Sequence, residues 1–147
     1  MSPGREIAKI VVVGTAEGTS GYKYFVARYT ANGARDSAFG INGYQTSPLT
    51  TPGANTAGRA VAIYPPGTQD AGKILVVSEV TDTAMGGIHE ILLTRYAKDG
   101  TLDDTFGGTG VIEVTSPTGS GDHMPVSVAI DSRSSFVSRR WWTSSSQ

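Results

Sequence analysis

The stretch Arg95-Tyr-Ala-Lys-Asp-Gly-Thr-Leu-Asp-Asp-Thr-Phe-Gly-Gly-Thr-Gly110 aligns without gaps on Arg28-Tyr-Thr-Ala-Asn-Gly-Ala-Arg-Asp-Ser-Ala-Phe-Gly-Ile-Asn-Gly43. The identical residues are all 67 positions apart: Arg28/Arg95, Tyr29/Tyr96, Gly33/Gly100, Asp36/Asp103, Phe39/Phe106, Gly40/Gly107 and Gly43/Gly110. A fixed separation of this kind is the signature of an internal repeat, whose units stack on one another.

The repeat continues on both sides of this motif. Upstream, Lys9–Val13 matches Lys73–Val77, and downstream Val61–Ile63 recurs as Val128–Ile130. We therefore expect residues 1–131 to hold two repeats, at about 9–64 and 73–130. Residues 132–147 are expected to be a degenerate third repeat or a disordered tail.

The composition predicts β structure. Val, Ile and Thr together supply 39 of the 147 residues against only 5 Leu, and side chains branched at Cβ favour strands over helices. Each repeat is predicted to form four antiparallel strands, the number in one propeller blade. The predicted strands are 10–13, 24–29, 44–47 and 60–64 in the first repeat, and 74–77, 90–96, 111–115 and 126–130 in the second.

The first predicted strand is the apolar run 10–13, and the last recognisable repeat segment is Val128–Ile130. We therefore expect sheets of three, four and then one or two strands. The continuous apolar runs 10–13 and 74–77 are typical of strands covered on both faces. Pro48–Gly58 and Ser116–Pro125 are predicted to be loops, because they are rich in Pro, Gly and Thr.

The repeated motif predicts a local structure. Asp99-Gly100 favours a tight turn, Asp103 is suited to cap a short helical turn, and Phe106 would fold back over it. Gly107 would then take a left-handed conformation, and Arg95 could bond the same loop. We interpret these residues as structural, because a capping device must recur in every unit whereas a catalytic site is rarely duplicated. The same roles apply to Asn32-Gly33, Asp36, Phe39, Gly40 and Arg28 in the first copy.

The runs Lys73–Val77, Arg95–Gly110 and Val128–Ile130 resemble the delta-60 repeat family of bacterial β-propellers. The resemblance covers residues 9 to about 131 and is closer in the second copy. It implies a propeller built from many such repeats in a large, exported or surface-associated protein, and it implies no activity. Ala34-Arg35 departs from the pattern seen at Thr101-Leu102, and the third copy fails after Ile130, which indicates truncation or a shifted reading frame.

Two repeats are few for this architecture. Propellers close with about four to eight blades, and stacked repeats usually need at least three units. We therefore expect the chain to self-associate or to be marginally stable alone. The start of the sequence shows no secretory signal pattern, so compartment is not predicted from these residues.

Candidate sites for chemistry are weak. There is no cysteine, no nucleophile elbow and no phosphate-binding loop. His89-Glu90 lies in a strand pattern that does not fit a zinc helix. Asp122-His123 suits either a metal site or a solvated loop. Asp99, Asp103 and Asp104 crowd one turn that could hold calcium, although the first two also occupy structural positions of the repeat; no other cofactor is indicated.

Two functions remain open at this point. One is a non-catalytic scaffold or binding module that presents loops to a protein or glycan partner. The other is part of a propeller enzyme, of hydrolase or lyase type, whose channel site needs blades absent from this chain. A net charge of -1 gives no global case for nucleic acid, and no apolar stretch is long enough to span a membrane. The basic residues of the segment 132–147, with Trp141-Trp142, suit either a frayed tail or a weak contact with nucleic acid or a membrane surface.

Overall fold

The computed structural model describes residues 8–50, 53–82, 87–114, 123–131 and 136–138. Nine strands account for all regular structure in these ranges. They are β1 Lys9–Gly18, β2 Gly21–Thr30, β3 Tyr44–Thr46, β4 Ala54–Ile63, β5 Ile74–Asp82, β6 Ile88–Tyr96, β7 Val111–Val114, β8 Val128–Ile130 and β9 Phe136–Ser138.

The strands form three antiparallel sheets. The first has the order β1-β2-β3, the second β4-β5-β6-β7, and the third contains only β8 and β9. The predicted order of three, four and then one or two strands is therefore confirmed. The chain is all-β, with propeller-type blades of which the second is complete.

Sheet boundaries and sequence repeats do not coincide. Strand β4 lies within the first repeat, yet it pairs with β5 of the second, with Val61 opposite Val76 and Ile63 opposite Ile74. A blade therefore begins with the last strand of one sequence repeat and continues with the first three strands of the next.

The second sheet is covered on both faces. On one face, Ile74, Val76, Leu92 and Tyr96 join a core with residues of the first sheet, including Tyr24, Val26 and Phe39. On the other, Leu75, Val77, Ile91 and Leu93 form a second core with Phe106, against which Val128 and Ile130 of β8 pack. This stacking of sheet on sheet is the packing expected between neighbouring blades.

The prediction that both apolar runs are covered on two faces is right for β5 and wrong for β1. Ile74 and Val76 are 1% and 0% exposed, whereas Ile10 and Val12, at the equivalent positions of β1, are 49% and 43% exposed. The reason is that Val11 and Val13 pack towards the second sheet, while the opposite face of β1 meets no packed sheet in the described part of the chain.

Part of a predicted loop is strand. β4 begins at Ala54, inside the predicted loop Pro48–Gly58, because residues 54–58 pair in register with 78–82 of β5. The pairing slips by one residue between Gly58 and Ala60. This bulge at Arg59 keeps Val61 on the same face as Ala54, so both contribute to the first core. Of the predicted loop Ser116–Pro125, only residues 123–125 lie among those described.

No helix in the described ranges is long and apolar enough to cross a membrane.

Candidate functional site

Each copy of the motif begins with a tight turn, which follows β2 in the first sheet and β6 in the second. Ala97 donates its N–H to the carbonyl of Thr101, and Thr30 makes the equivalent bond to Ala34, both at 2.8 Å. Gly100 and Gly33 have φ of 88° and 84°, a region that favours glycine. The other repeated glycines, Gly40, Gly43, Gly107 and Gly110, also have positive φ.

Asp103 is held by two cations. Arg95 Nε and Lys73 Nζ lie 2.6 and 2.7 Å from Oδ2, while the N–H and hydroxyl of Thr105 donate to Oδ1. Burial alone would raise the pKa of this carboxyl, but the bonds from Lys73 and Thr105 and the charge of Arg95 outweigh it and hold the pKa at about 2. The carboxylate is therefore ionised and fully engaged.

Asp36 has the same arrangement with fewer partners. Its Oδ2 lies 2.8 Å from Arg28 Nε and 3.0 Å from Lys9 Nζ. The bond from Lys9 is the main reason that the pKa of Asp36 is lowered. Lys9 and Lys73 are repeated residues to which the sequence pattern assigns no role. Because each lysine recurs together with an aspartate of the motif, this recurrence could have predicted the two ion pairs.

Each aspartate caps a single hydrogen-bonded turn that does not extend into a helix. Phe39 and Phe106 each donate an N–H to the carbonyl of the aspartate three residues earlier, at 3.0 Å, but the chain leaves the turn at the following glycine before a helix can continue. Both rings are buried, at 0% and 7% exposure. Arg28 and Arg95 lie over them, with the guanidinium carbon 4.8 and 4.7 Å from the ring centres.

The first motif docks on the turn of the second. Gly40 donates its N–H to the carbonyl of Asp99 at 2.7 Å, and Arg28 Nη1 donates to the carbonyl of Lys98. A Cβ on Gly100 would lie 2.6 Å from the nitrogen of Gly40 and 3.0 Å from the ring of Phe39. The motif therefore joins one blade to the next as well as closing its own loop.

A tyrosine pair lies in the same interface. The hydroxyls of Tyr24 and Tyr96 are 2.8 Å apart, and Tyr96 also donates to the carbonyl of Thr46. Burial raises the pKa of both groups, that of Tyr24 to about 12. Tyr96 belongs to the repeated motif, but its hydrogen-bond partner Tyr24 has no equivalent in the second copy, where position 91 is isoleucine.

The sequence pattern did not predict a polar cluster that lies at the end of the second sheet away from the motif turn. The buried Glu79 accepts from Arg59 Nε at 3.0 Å and contacts His89 Nδ1, which in turn lies 3.1 Å from the hydroxyl of Thr81. Cross-strand register brings these groups together, since Thr81 lies opposite His89. His89 therefore belongs to a strand, as predicted, but it is paired with a buried carboxylate.

Two further glutamates meet on the other face of this end. A hydrogen bond with Glu90, followed by burial and like-charge repulsion, raises the pKa of Glu113 to about 7. They are neighbours because Glu113 lies opposite Leu92, two residues along β6 from Glu90.

The predicted calcium ligands do not converge. Asp103 faces Lys73 and Arg95, Asp99 Oδ1 accepts from the N–H and hydroxyl of Thr101, and Asp104 is exposed. Within the described ranges, no group of three or more His, Cys, Asp or Glu residues is placed to hold a metal. Calcium binding stays a prediction. Of the pair Asp122-His123, His123 is half-buried and Asp122 lies outside the described residues.

The fold and the interblade motif define a protein of β-propeller-type blades. Residues 9–39 and 69–106 match the sequence model of a family described as a domain of unknown function (DUF5122) beta-propeller. These segments contain the Arg–Asp–Phe part of both motif copies, so the match supports a β-propeller-type repeat family. No curated protein and no solved structure matches the chain.

Proposed function

We propose that this chain is a non-catalytic propeller module of the delta-60 type that recognises a glycan or protein partner. The observation that carries the proposal is a cleft of about 770 Å³ between the first and second sheets. Its lining combines cationic and apolar side chains, among them Lys9, Arg28, Lys98, Ile63, Tyr64 and Pro66.

The charge of the cleft favours an acidic ligand. Among the described residues, Lys9 and Arg28 share one carboxylate, that of Asp36, whereas the equivalent Lys73 and Arg95 share both Asp103 and Asp70. Lys98 is exposed at the rim. A carboxylate-bearing oligosaccharide would pair with these cations while its apolar face lies on Ile63 and Pro66.

The contacts of the motif aspartates favour a binding protein over an enzyme. Asp36 and Asp103 have their oxygens committed to cations and to the turn, so neither is available as an acid or base. The cleft itself lies beside this fixed framework, and rigid scaffolds that present variable rims are common recognition surfaces.

The test is binding of the chain to an array of neutral and acidic oligosaccharides. Binding to acidic members that falls at least tenfold in Lys98→Gln supports the proposal. Arg35→Gln is the matched control, because Arg35 is an exposed cation in the loop of the first motif copy that does not line the cleft. Equal binding by both variants, or binding to no acidic member, contradicts it.

One observation favours the enzyme alternative. A histidine held by a buried carboxylate, as His89 is by Glu79, is the usual arrangement of a general base. Turnover of generic esterase, phosphatase or glycosidase substrates that is lost in His89→Gln would support this second candidate. An absence of turnover favours the binding module.

A further inference from the structure

We propose that a second copy of this chain completes the first blade, by pairing its strand β8 with the outer edge of β1. The inference deepens the proposed function, since it names the first partner of the module. The internal junction between the first and second sheets is the template for the arrangement.

In the described residues, the first sheet has three strands where the second has four. In the second sheet, β4 pairs with β5 through Val61–Val76, Ala62–Leu75 and Ile63–Ile74. The repeat makes β1 the equivalent of β5, yet among the described strands β1 lies at the edge of its sheet. It presents unpaired main-chain groups on an apolar strand, which is a template for another strand.

The missing strand has an equivalent elsewhere in the chain. Val128–Ile130 of β8 repeats Val61–Ile63 of β4, 67 residues later. In the described residues β8 pairs only with the three-residue strand β9, whereas β5, at the equivalent position, is nine residues long. If β8 of one copy paired with β1 of a second copy instead of with β9, its partner would be a longer strand that already pairs with β2.

The open face of the first sheet fits the same neighbour. Ile10 and Val12 are 49% and 43% exposed where Ile74 and Val76 are 1% and 0% exposed. Strand exchange would stack this face on the second sheet of the other copy, against the core that contains Phe106. Covering these side chains removes apolar surface from water, which favours association.

The repeated turn supplies matching hydrogen-bonding groups. Gly40 donates to Asp99, and Phe39 packs on Gly100, across the internal junction. In the first sheet, Asn32 and Gly33 are the repeat equivalents of Asp99 and Gly100. The carbonyl of Asn32 would be the hydrogen-bond acceptor, and a Cβ at Gly33 would meet nothing within 4 Å, so the surface there is open. Gly107 and Phe106 of the second copy are the equivalent donor side.

The result is a head-to-tail assembly in which each copy contributes two blades. Such an interface joins two different surfaces, so the assembly is a closed ring when the rotation between copies allows it. Closure at about four to eight blades corresponds to about two to four copies.

Register is tested by disulfide trapping, which the absence of native cysteine makes clean. The template places Ala129 of one copy opposite Val11 of the other. Mixing Val11→Cys with Ala129→Cys chains under oxidation should give a disulfide-linked dimer, because directly opposed strand residues have the Cα separation of a disulfide. Val12→Cys with Ala129→Cys is the control and should not crosslink, since neighbouring strand residues point to opposite faces.

Association itself is tested by sedimentation. The unmodified chain should sediment as a closed assembly larger than a monomer, and the combined change Ile10→Lys and Val12→Lys should make it monomeric. Tyr22→Lys, which alters a similarly exposed apolar side chain of the same sheet, should leave it assembled. A monomeric unmodified chain, or an assembly that traps the control pair as well as the Val11–Ala129 pair, overturns the inference. A monomer that still binds acidic glycans would overturn it without touching the proposed function.

Discussion

The main-chain N–H of Gly40 donates to the main-chain carbonyl of Asp99 at 2.7 Å across the junction of two blades. The two residues belong to successive copies of one sequence motif, so the same motif supplies a donor in one blade and an acceptor in the next. A repeat protein stacked in this way is stabilised by neighbouring units as well as by each unit itself. The tests below separate those two contributions.

Gly100→Ala should destabilise the chain more than Gly33→Ala. Both positions have positive φ, so each alanine costs about 1 kcal/mol of backbone strain. At Gly100 the added methyl also meets the nitrogen of Gly40 at 2.6 Å, and we expect about 1–3 kcal/mol more from this overlap. Thermal or denaturant unfolding measures the difference; equal costs would show that the junction contributes little.

Phe106→Ala should lower the free energy of unfolding by about 3 kcal/mol, because the ring is buried in the second core. Leu102→Ala, at a 39% exposed side chain of the same loop, should cost much less. If Phe106→Ala left the melting midpoint unchanged while abolishing ligand binding, the structural assignment of the motif would be wrong.

Asp103→Asn should destabilise the chain by about 2 kcal/mol at neutral pH, the free energy that corresponds to a pKa lowered from 3.8 to about 2. The folded state binds the proton of Asp103 more weakly than the unfolded chain does. The stabilisation is therefore complete above pH 4 and is lost as the pH falls through about 2. Unfolding curves across this range should converge for the two proteins, and Asp104→Asn, at an exposed neighbour, should follow the unmodified chain throughout.

Glu113→Gln should stabilise the chain above neutral pH. The pKa of Glu113 is raised from 4.5 to about 7, so the folded state binds this proton more tightly than the unfolded chain does. The contribution of Glu113 to stability is therefore complete below pH 4.5 and is lost as the pH rises through about 7, where the charges of Glu90 and Glu113 repel. Melting midpoints at acid and alkaline pH measure the effect, with the exposed Glu17→Gln as control; a decline of equal size in Glu113→Gln would exclude this pair as its source.

Local structure was largely predictable from the sequence. Asp99-Gly100 and Asn32-Gly33 form turns, and the strands lie near the predicted segments, because turn chemistry and Cβ branching act over a few neighbouring residues. The repeat also predicted the grouping of three, four and then one or two strands. The turn after Asp103 does not continue as a helix, because Gly107, with φ of 63°, redirects the chain after a single hydrogen-bonded turn.

By itself, the sequence determined the period, the turns and the β class of this protein, since each depends on residue types at short, fixed separations. Only the tertiary structure decided that β4 begins at Ala54, inside a predicted loop, that Ile10 and Val12 are exposed while Ile74 and Val76 are buried, and that Glu79 meets His89. The physical reason is that these relationships depend on which strands pair, in which register, and on which face another sheet packs. Equivalent residues of a repeat have the same local conformation but acquire different burial when only one of them has a neighbouring blade.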